Sequence, residues 1–314
     1  MLAEAVVLLV VGIGAIVLPA LPAYRAAAAR TLTRKLGAQV PPGQRSALEA
    51  RTARRARGVG AGLVLGGVVV QAWYVVTGSA LPSEYQGWVV VGLAWALGVA
   101  GLAVVEIWRP GARREGEPRS ARASVPRLTD YVPRYLIAMS WVFAAVAATA
   151  VLGAVALGRS RWFDAATVLA GPVPAMGLVL AMLAVLTHLA VGRVLDTPQP
   201  ARDEAELYWQ DGVRAITLSM LHVPLAQVST LVLFVVARTV DAAASDVTRT
   251  VGEVGPQWVL AVLVVAHGLG LVMLVAFLLA SLVNSWGPDS DRTRFRRRLW
   301  ADPGGPRHPI AGGA

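Results

Sequence analysis

The sequence predicts an all-α polytopic membrane protein, a bundle of seven transmembrane helices. Hydrophobic residues make up 56% of the 314 residues, and the mean hydropathy is +0.58. Apolar stretches of about 20 residues match the length that a helix needs to cross a hydrocarbon core of roughly 30 Å. We predict seven spans: 2–24, 58–77, 87–107, 135–157, 165–190, 215–237 and 258–283.

The basic residues fall in every second segment between these spans. Segments 25–57, 108–134, 191–214 and 285–314 hold 25 of the 29. The other four are Arg159, Arg161, Arg238 and Arg249. Because loops rich in Lys and Arg stay on the cytoplasmic side, the N-terminus is expected outside and the C-terminus inside. We expect a multi-pass protein of a bacterial cytoplasmic membrane, with a transmembrane domain (1–284) and a basic cytoplasmic tail (285–314).

The first two spans differ in their sequence signals. No Lys or Arg precedes Arg25, so the first span is interpreted as an uncleaved anchor rather than a secretory signal. In span two, Gly58, Gly62 and Gly66 lie on one helix face and allow a neighbouring helix to approach closely. We interpret this stripe as an internal packing face, with homodimerisation as the alternative. Span four carries a weaker stripe of Ala145, Thr149 and Gly153, interpreted in the same way.

The starts of the later spans carry turn and capping signals. Asp130 is predicted to cap span four, with Pro133 in its first turn. Span five is predicted to bend at Gly171-Pro-Val-Pro174, near its outer end. The acidic run 203–211 is interpreted as a short interfacial helix leading into span six, with its carboxylates in exposed ion pairs.

Polar groups inside the spans are candidates for function, because they are costly in hydrocarbon. The candidate polar site comprises five residues, four of them on span six with the helix-breaking Pro224: Ser219, His222, Gln227, Ser229 and His267. Thr230 lies beside them. They line either a substrate path or an ordinary packed kink, and both interpretations stay open. No Asp, Glu, Lys or Arg lies at a predicted midplane, which disfavours a proton-coupled carrier.

Several chemistries are not supported by this sequence. The chain has no cysteine, which excludes disulfides, thiolate metal ligands and cysteine nucleophiles. The four histidines are spread over three spans and the tail, so no metal site is expected. Lys35 lies in a loop, so no retinal Schiff base can form in the membrane. We predict no catalytic residues, no cofactor and no nucleic-acid partner.

The tail combines arginines with aromatic and aliphatic side chains. Residues 292–300 read Arg-Thr-Arg-Phe-Arg-Arg-Arg-Leu-Trp. A basic cluster directly after a span attracts anionic head groups at the cytoplasmic face. We therefore predict lipid contacts for Arg294, Arg296, Arg297 and Arg298, and disorder after Pro303.

The whole pattern resembles seven-span integral membrane proteins of actinobacteria. The resemblance rests on the Arg- and Ala-rich composition and on two short motifs, Thr-Asp-Tyr-Val-Pro at 129–133 and Asp-Gly-Val-Arg at 211–214. It implies class and location but no activity. We expect a non-enzymatic membrane component: a partner of another membrane protein, a regulator or a lipid organiser. The alternative is a small transporter or channel with a path near the kinked fifth and sixth spans.

Overall fold

The computed structural model describes residues 2–37, 40–77, 83–108, 126–197, 201, 203–252, 255–286 and 291–300. Within these ranges the chain is helical, with no β-strand. Short 3-10 turns cover Leu18–Ala20 and Pro42–Gln44. The α-helices are α1 (Leu2–Val17), α2 (Pro22–Leu36), α3 (Arg45–Thr77), α4 (Ser83–Trp108), α5 (Leu128–Tyr131), α6 (Arg134–Leu157), α7 (Ala165–Leu169), α8 (Val173–Asp196), α9 (Glu204–Val251), α10 (Gln257–Trp286) and α11 (Asp291–Leu299).

Seven membrane spans account for this architecture, which confirms the predicted fold class. Six helical segments of the described chain are long and apolar enough to cross a membrane. A seventh span is counted from the bent pair of α1 and α2, whose axes differ by 90° at the break between them. Helix α1 lies beside the apolar part of α3, with Ala5 near Gly67 and Gly12 near Gly60. The first span is therefore α1 with its 3-10 turn, and it ends earlier than the predicted residue 24.

Helix α9 occupies the centre of the bundle. It packs against α4, α6, α8 and α10, and most of its side chains are buried. Helices α1, α3 and α4 form a row that leaves this centre, because α1 packs on α3 and α3 packs on α4. Helix α10 lies at the opposite edge, against α9 and α6. The outer helices consequently expose many apolar side chains, as expected where lipid is the solvent.

Two glycine faces on α3 hold the row together. Gly58 faces α4, where an added methyl group would lie 2.7 Å from the carbonyl oxygen of Gly101. At Gly62 the same group would overlap the carbonyl oxygen of Leu97. Gly60 lies on the opposite face of α3, where an added methyl group would lie 2.6 Å from the carbonyl oxygen of Gly12 in α1. The stripe of span two is thus an internal packing face, as predicted.

The stripe predicted on span four packs differently. Ala145, Thr149 and Gly153 are exposed on α6, and no atom lies within 4 Å of a methyl group added at Gly153. The expectation of an internal packing face was wrong here. Helix α6 instead contacts α9 and α8 through its other side, where Ser140, Phe143 and Ala147 are buried.

Two spans extend far beyond their predicted bounds. Helix α3 begins at Arg45, before the predicted residue 58, and α9 has 48 residues, from Glu204 to Val251. At 1.5 Å per residue α9 is about 72 Å long, more than twice the hydrocarbon thickness. The acidic run 203–211 is accordingly not a separate exposed helix. Asp203 caps α9 by accepting the backbone N–H of Glu206 at 2.7 Å, and the helix continues through Pro224.

The start of span four also differs from the prediction. Asp130 does not cap α6; its carboxylate accepts the backbone N–H of Arg127 at 2.7 Å and so closes the one-turn helix α5. Extended backbone follows at Val132, and Pro133 is the N-cap of α6. Residues restricted by a following proline favour extended backbone, which explains why the chain breaks here and starts a new helix.

Span five is broken where the sequence predicted a bend. Helix α7 ends at Leu169, and α8 begins at Val173, directly after Pro172. Asp164 caps α7 through the backbone N–H and hydroxyl of Thr167, both at 2.7 Å. These bonds hold the pKa of Asp164 below its ordinary value.

The close helix contact at Gly62 can be tested by Gly62→Ala. The added methyl group would overlap backbone of α4, and overpacking of this kind costs about 1–3 kcal/mol. Gly66→Ala is the matched control, because its methyl group would lie 3.5 Å from the nearest atom, the Cα of Ala94. Both changes gain about 1 kcal/mol of helix propensity. We expect a lower Tm in detergent for Gly62→Ala than for Gly66→Ala; equal Tm values would contradict the packing described.

Candidate functional site

The predicted polar residues of spans six and seven do not converge on one site. Gln227 accepts the indole N–H of Trp95 in α4 at 2.9 Å. Ser229 donates its hydroxyl to the carbonyl of Leu225 in its own helix at 2.7 Å. Thr230 likewise donates to Ala226 at 3.0 Å. His267 donates from Nδ1 to the carbonyl of Leu263 at 2.9 Å. Each is bonded locally or to a different helix.

His222 is the candidate residue that contacts another polar side chain deep in the bundle. Its Nδ1 lies 3.0 Å from the hydroxyl of Ser140 in α6, and that hydroxyl donates to the carbonyl of Ile137 at 2.8 Å. Because a serine has a single hydroxyl proton, Nδ1–H of His222 is the donor in the first bond. His222 is 1% exposed, and its Nε2 has no hydrogen-bond partner among the described residues. Ser219 is buried on the same helix, one turn towards the N-terminus of α9.

A buried ion cluster that the sequence analysis missed joins α3, α4 and α9. Glu106 in α4 is 1% exposed. Arg51 Nη2 binds one of its oxygens at 2.8 Å, and Arg55 Nε binds the other at 2.5 Å. Arg55 also donates to the hydroxyl of Thr217, which in turn donates to the carbonyl of Val213 at 2.6 Å. Arg51 and Arg55 are one helical turn apart and so face the same carboxylate, a spacing that could have revealed the pair.

A second buried cluster connects α5, α9 and the tail around Asp211, which is 0% exposed. Tyr131 donates its hydroxyl to Oδ1 of Asp211 at 2.9 Å. The indole N–H of Trp300 donates to Oδ2 at 3.0 Å. Arg214 lies beside Tyr131, with Nη1 at 3.4 Å from the hydroxyl, and donates from Nη2 to the carbonyl of Thr197. The two short motifs at 129–133 and 211–214 therefore meet in space.

The arrangement around Tyr131 favours its neutral form. Burial raises the pKa of the Tyr131 hydroxyl, and the neighbouring Asp211 carboxylate raises it further. Arg214 acts in the opposite direction but does not reverse the shift. Tyr131 therefore remains a hydrogen-bond donor to Asp211 at neutral pH. The cluster is suited to holding helices together rather than to proton transfer near pH 7.

The tail helix packs onto the bundle through its aromatic residues. Phe295 and Trp300 are buried, and both rings contact Tyr208 of α9, with centroids 5.4 Å and 5.3 Å away. Tyr208 donates to the carbonyl of Leu36 at 3.3 Å, and Arg296 donates to the same carbonyl. The tail thus ties the C-terminal end of α2 to α9.

The predicted lipid contacts of the tail separate into two pairs. Arg294 is 6% exposed, and its Nε donates to the carbonyl of Thr129 at 2.7 Å. Arg296 binds the carbonyl of Leu36, so both side chains contact protein where lipid was expected. Arg297 and Arg298 are exposed, and a lipid contact for them stays a prediction. The expected disorder after Pro303 lies outside the described residues.

These contacts define what we call the basic end of the bundle: the place where the described parts of 25–57, 126–134, 191–214 and 291–300 meet, which are residues 25–37, 40–57, 126–134, 191–197, 201, 203–214 and 291–300. At this end two carboxylates of the acidic run are buried, those of Glu206 and Asp211, whereas Asp203 and Glu204 at the start of the run are exposed. Glu206 accepts a bond from Gln44, and Asp211 is covered by Trp300. The prediction of exposed ion pairs is therefore wrong for Glu206 and Asp211, because Gln44 and the tail cover them.

An apolar cleft of about 70 Å³ lies between α3, α4 and α8. It is lined by side chains such as Trp73, Leu93 and Met176, and it does not include His222. Among the described residues, no group of three or more His, Cys, Asp or Glu side chains could hold a metal ion.

Comparison with known proteins gives no relative: no protein-family model, curated protein or solved structure matches this chain. The likeness to seven-span actinobacterial proteins stays a prediction, and function has to be argued from the geometry.

The buried ion cluster can be tested by Glu106→Gln, which leaves Arg51 and Arg55 without a compensating charge. Breaking a buried pair in this way costs about 3–5 kcal/mol. Glu49→Gln is the matched control, since Glu49 forms a surface pair with Arg45 at 3.4 Å and such pairs contribute about 0.5 kcal/mol or less. Unfolding titrations in mixed micelles should separate the two variants clearly. Similar losses for both would refute a special role for Glu106.

The Tyr131–Asp211 bond predicts a specific alkaline dependence of stability. A group whose pKa is raised by folding stabilises the protein below its unfolded pKa, and that contribution is lost as the pH rises through the folded value. Unfolded tyrosine titrates near pH 10. We expect Tyr131→Phe to have a lower Tm than the wild type at pH 8, and the difference to shrink as the pH is raised above about 10. Because the other tyrosines are present in both proteins, the difference isolates Tyr131; a constant difference would contradict the bond.

Proposed function

We propose that this chain is a non-enzymatic integral membrane protein of a bacterial cytoplasmic membrane. It acts as a partner, regulatory or lipid-organising component, and it presents the basic end as a stable surface at one side of the bilayer. The observation that carries this proposal is the burial of Asp211 between Tyr131 and Trp300. A carboxylate in that position ties α5, α9 and the tail helix into one unit.

The dispersal of the span-six polar groups supports this proposal. A transport path requires polar groups that face a common water-filled space. In α9, Gln227 bonds towards α4, Ser229 bonds within its own helix, and His222 bonds towards α6. These groups bond in separate directions and contribute to helix packing, and among the described residues they do not converge on a shared surface for a substrate.

The ion clusters support the same proposal from the energetic side. Burying charged groups is costly, and the cost is offset when the charges pair with good geometry. Glu106, Arg51 and Arg55 meet this condition at the basic end. A basic end held by such ion pairs suits a protein that positions another membrane component. It suits a transporter, which must open and close, less well.

A transporter or channel is the second candidate, favoured by one observation. Nε2 of His222 is buried and has no partner among the described residues, and the break between α7 and α8 lies in a helix that packs against α9. A path along α8 and α9 would bring water to this nitrogen. Accessibility measurements distinguish this candidate from the proposed one.

The absence of cysteine makes single-cysteine labelling direct. We expect Ser219→Cys and Ser229→Cys to resist a membrane-impermeant maleimide, because both serines are buried in packed protein. Ser46→Cys and Ser245→Cys are the controls, since both serines are exposed near the ends of their helices. In intact cells Ser245→Cys should be labelled, and Ser46→Cys should be labelled after permeabilisation.

Each outcome has a defined meaning. Labelling of Ser229→Cys at a rate comparable with Ser245→Cys would overturn the proposed function in favour of a water-filled path. His222→Leu gives a second measure: a packed histidine predicts a Tm equal to the wild type or higher, because the change removes a buried unsatisfied nitrogen. Reversed accessibility of the two control positions would overturn the orientation.

A further inference from the structure

Helix α2 is placed along the plane of the membrane at the basic end. Helix α1 runs beside the apolar part of α3, where Ala5, Gly12 and Ile16 contact α3 between Gly60 and Gly67. The chain then turns by 90° into α2. Because α1 is aligned with a membrane-spanning helix, a helix perpendicular to it lies parallel to the bilayer surface.

One face of α2 is fixed to the protein. Ala29 is buried, and Leu36 is 0% exposed at the C-terminal end of α2. The Leu36 side chain packs against Gly212 of α9, and its carbonyl accepts bonds from Tyr208 and Arg296. This face holds α2 in a defined orientation.

The other face of α2 is cationic. Arg30, Arg34 and Lys35 are exposed, and at 100° per residue they lie on the side of the helix opposite Ala29 and Leu36. Helix α2 contains no Asp or Glu. No carboxylate within α2 therefore neutralises the positive charge of its polar face.

Other cations of the basic end are engaged within the protein. Arg51 and Arg55 bind Glu106, Arg214 binds the carbonyl of Thr197, and Arg294 binds the carbonyl of Thr129. Arg30, Arg34 and Lys35 of α2 are exposed and have no such ion pair or hydrogen bond to the described part of the protein. A basic helix lying in the interfacial plane attracts anionic head groups.

We propose that α2 is an interfacial helix that binds the phosphate groups of anionic membrane lipids through Arg30, Arg34 and Lys35. This lipid contact of α2 is separate from the one that the sequence predicts for Arg297 and Arg298 in the tail. The inference goes beyond the proposed function, because it holds equally for a transporter with the same fold.

The test uses the full chain in neutral detergent, titrated with phosphatidylglycerol, with bound lipids counted by native mass spectrometry. The test variant is Arg30→Gln, Arg34→Gln and Lys35→Gln combined. The matched control is Arg57→Gln, Arg127→Gln and Arg193→Gln combined, which removes the same charge from exposed positions at the same end. Gel filtration and circular dichroism check that both variants fold.

Each interfacial cation strengthens binding to anionic lipid by about fivefold. We expect the apparent Kd for phosphatidylglycerol to rise at least about tenfold in the α2 variant and less than about threefold in the control. Phosphatidylcholine should bind equally to all three proteins. Unchanged phosphatidylglycerol binding by the α2 variant, or an equal loss in the control, would overturn the proposal.

Inorganic phosphate separates a lipid head group from a soluble anion. We expect millimolar inorganic phosphate not to raise the Tm of the wild-type protein in phosphatidylcholine. Phosphatidylglycerol should raise that Tm. An equal rise with inorganic phosphate that is lost in the α2 variant would show a soluble-anion site and overturn the lipid assignment.

Discussion

The buried polar side chains of α9 need hydrogen-bond partners inside the protein, because burial removes them from water. Helix α9 carries Asp211, Arg214, Thr217 and His222 along a single helix, and each must be satisfied by a neighbour. Their partners come from different directions: Tyr131 from α5, Arg55 from α3 and Ser140 from α6. This requirement favours a central position for α9, with bonding partners on α3, α5 and α6.

Apolar packing alone would not distinguish this arrangement from others. Lipid tails are as apolar as leucine, so burial of leucine and valine gives little preference for one helix pair over another. The specific contacts come from two other sources. Glycine faces bring α1, α3 and α4 together at the backbone, and paired polar groups select the neighbours of α9. Glu106 is the carboxylate whose two arginines join the glycine-packed row to the centre.

The sequence predicted the features that depend on local composition. Span number, the break at Gly171–Pro172 and the packing role of Gly58, Gly62 and Gly66 follow from hydropathy, proline chemistry and small-residue spacing. The wrong predictions concern residues whose environment is set by distant parts of the chain. Asp211 was expected at the surface, because nothing near it in the sequence shows that Trp300 covers it. Arg294 was expected at lipid for the same reason, since its partner at Thr129 is 165 residues away.

Helix lengths were misjudged for a related physical reason. Hydropathy reports where the membrane ends, not where the helix ends. Helix α9 continues towards Asp203 at one end and Val251 at the other because Asp203 caps its first turn and Gly252, in the left-handed conformation with φ of 73°, ends its last. Both signals are present in the sequence, but they lie outside the apolar stretch that defines the span.

The position of Trp300 has a consequence for the order in which the protein can assemble. Trp300 follows all seven spans. While the earlier helices insert, Asp211 can therefore accept the hydrogen bond of Tyr131 but not that of the Trp300 indole. The basic end therefore stays incompletely closed until the last span is in the membrane. Assembly of this end is a late event that depends on completion of the whole bundle, and a chain interrupted before α11 would leave a carboxylate exposed among aromatic rings.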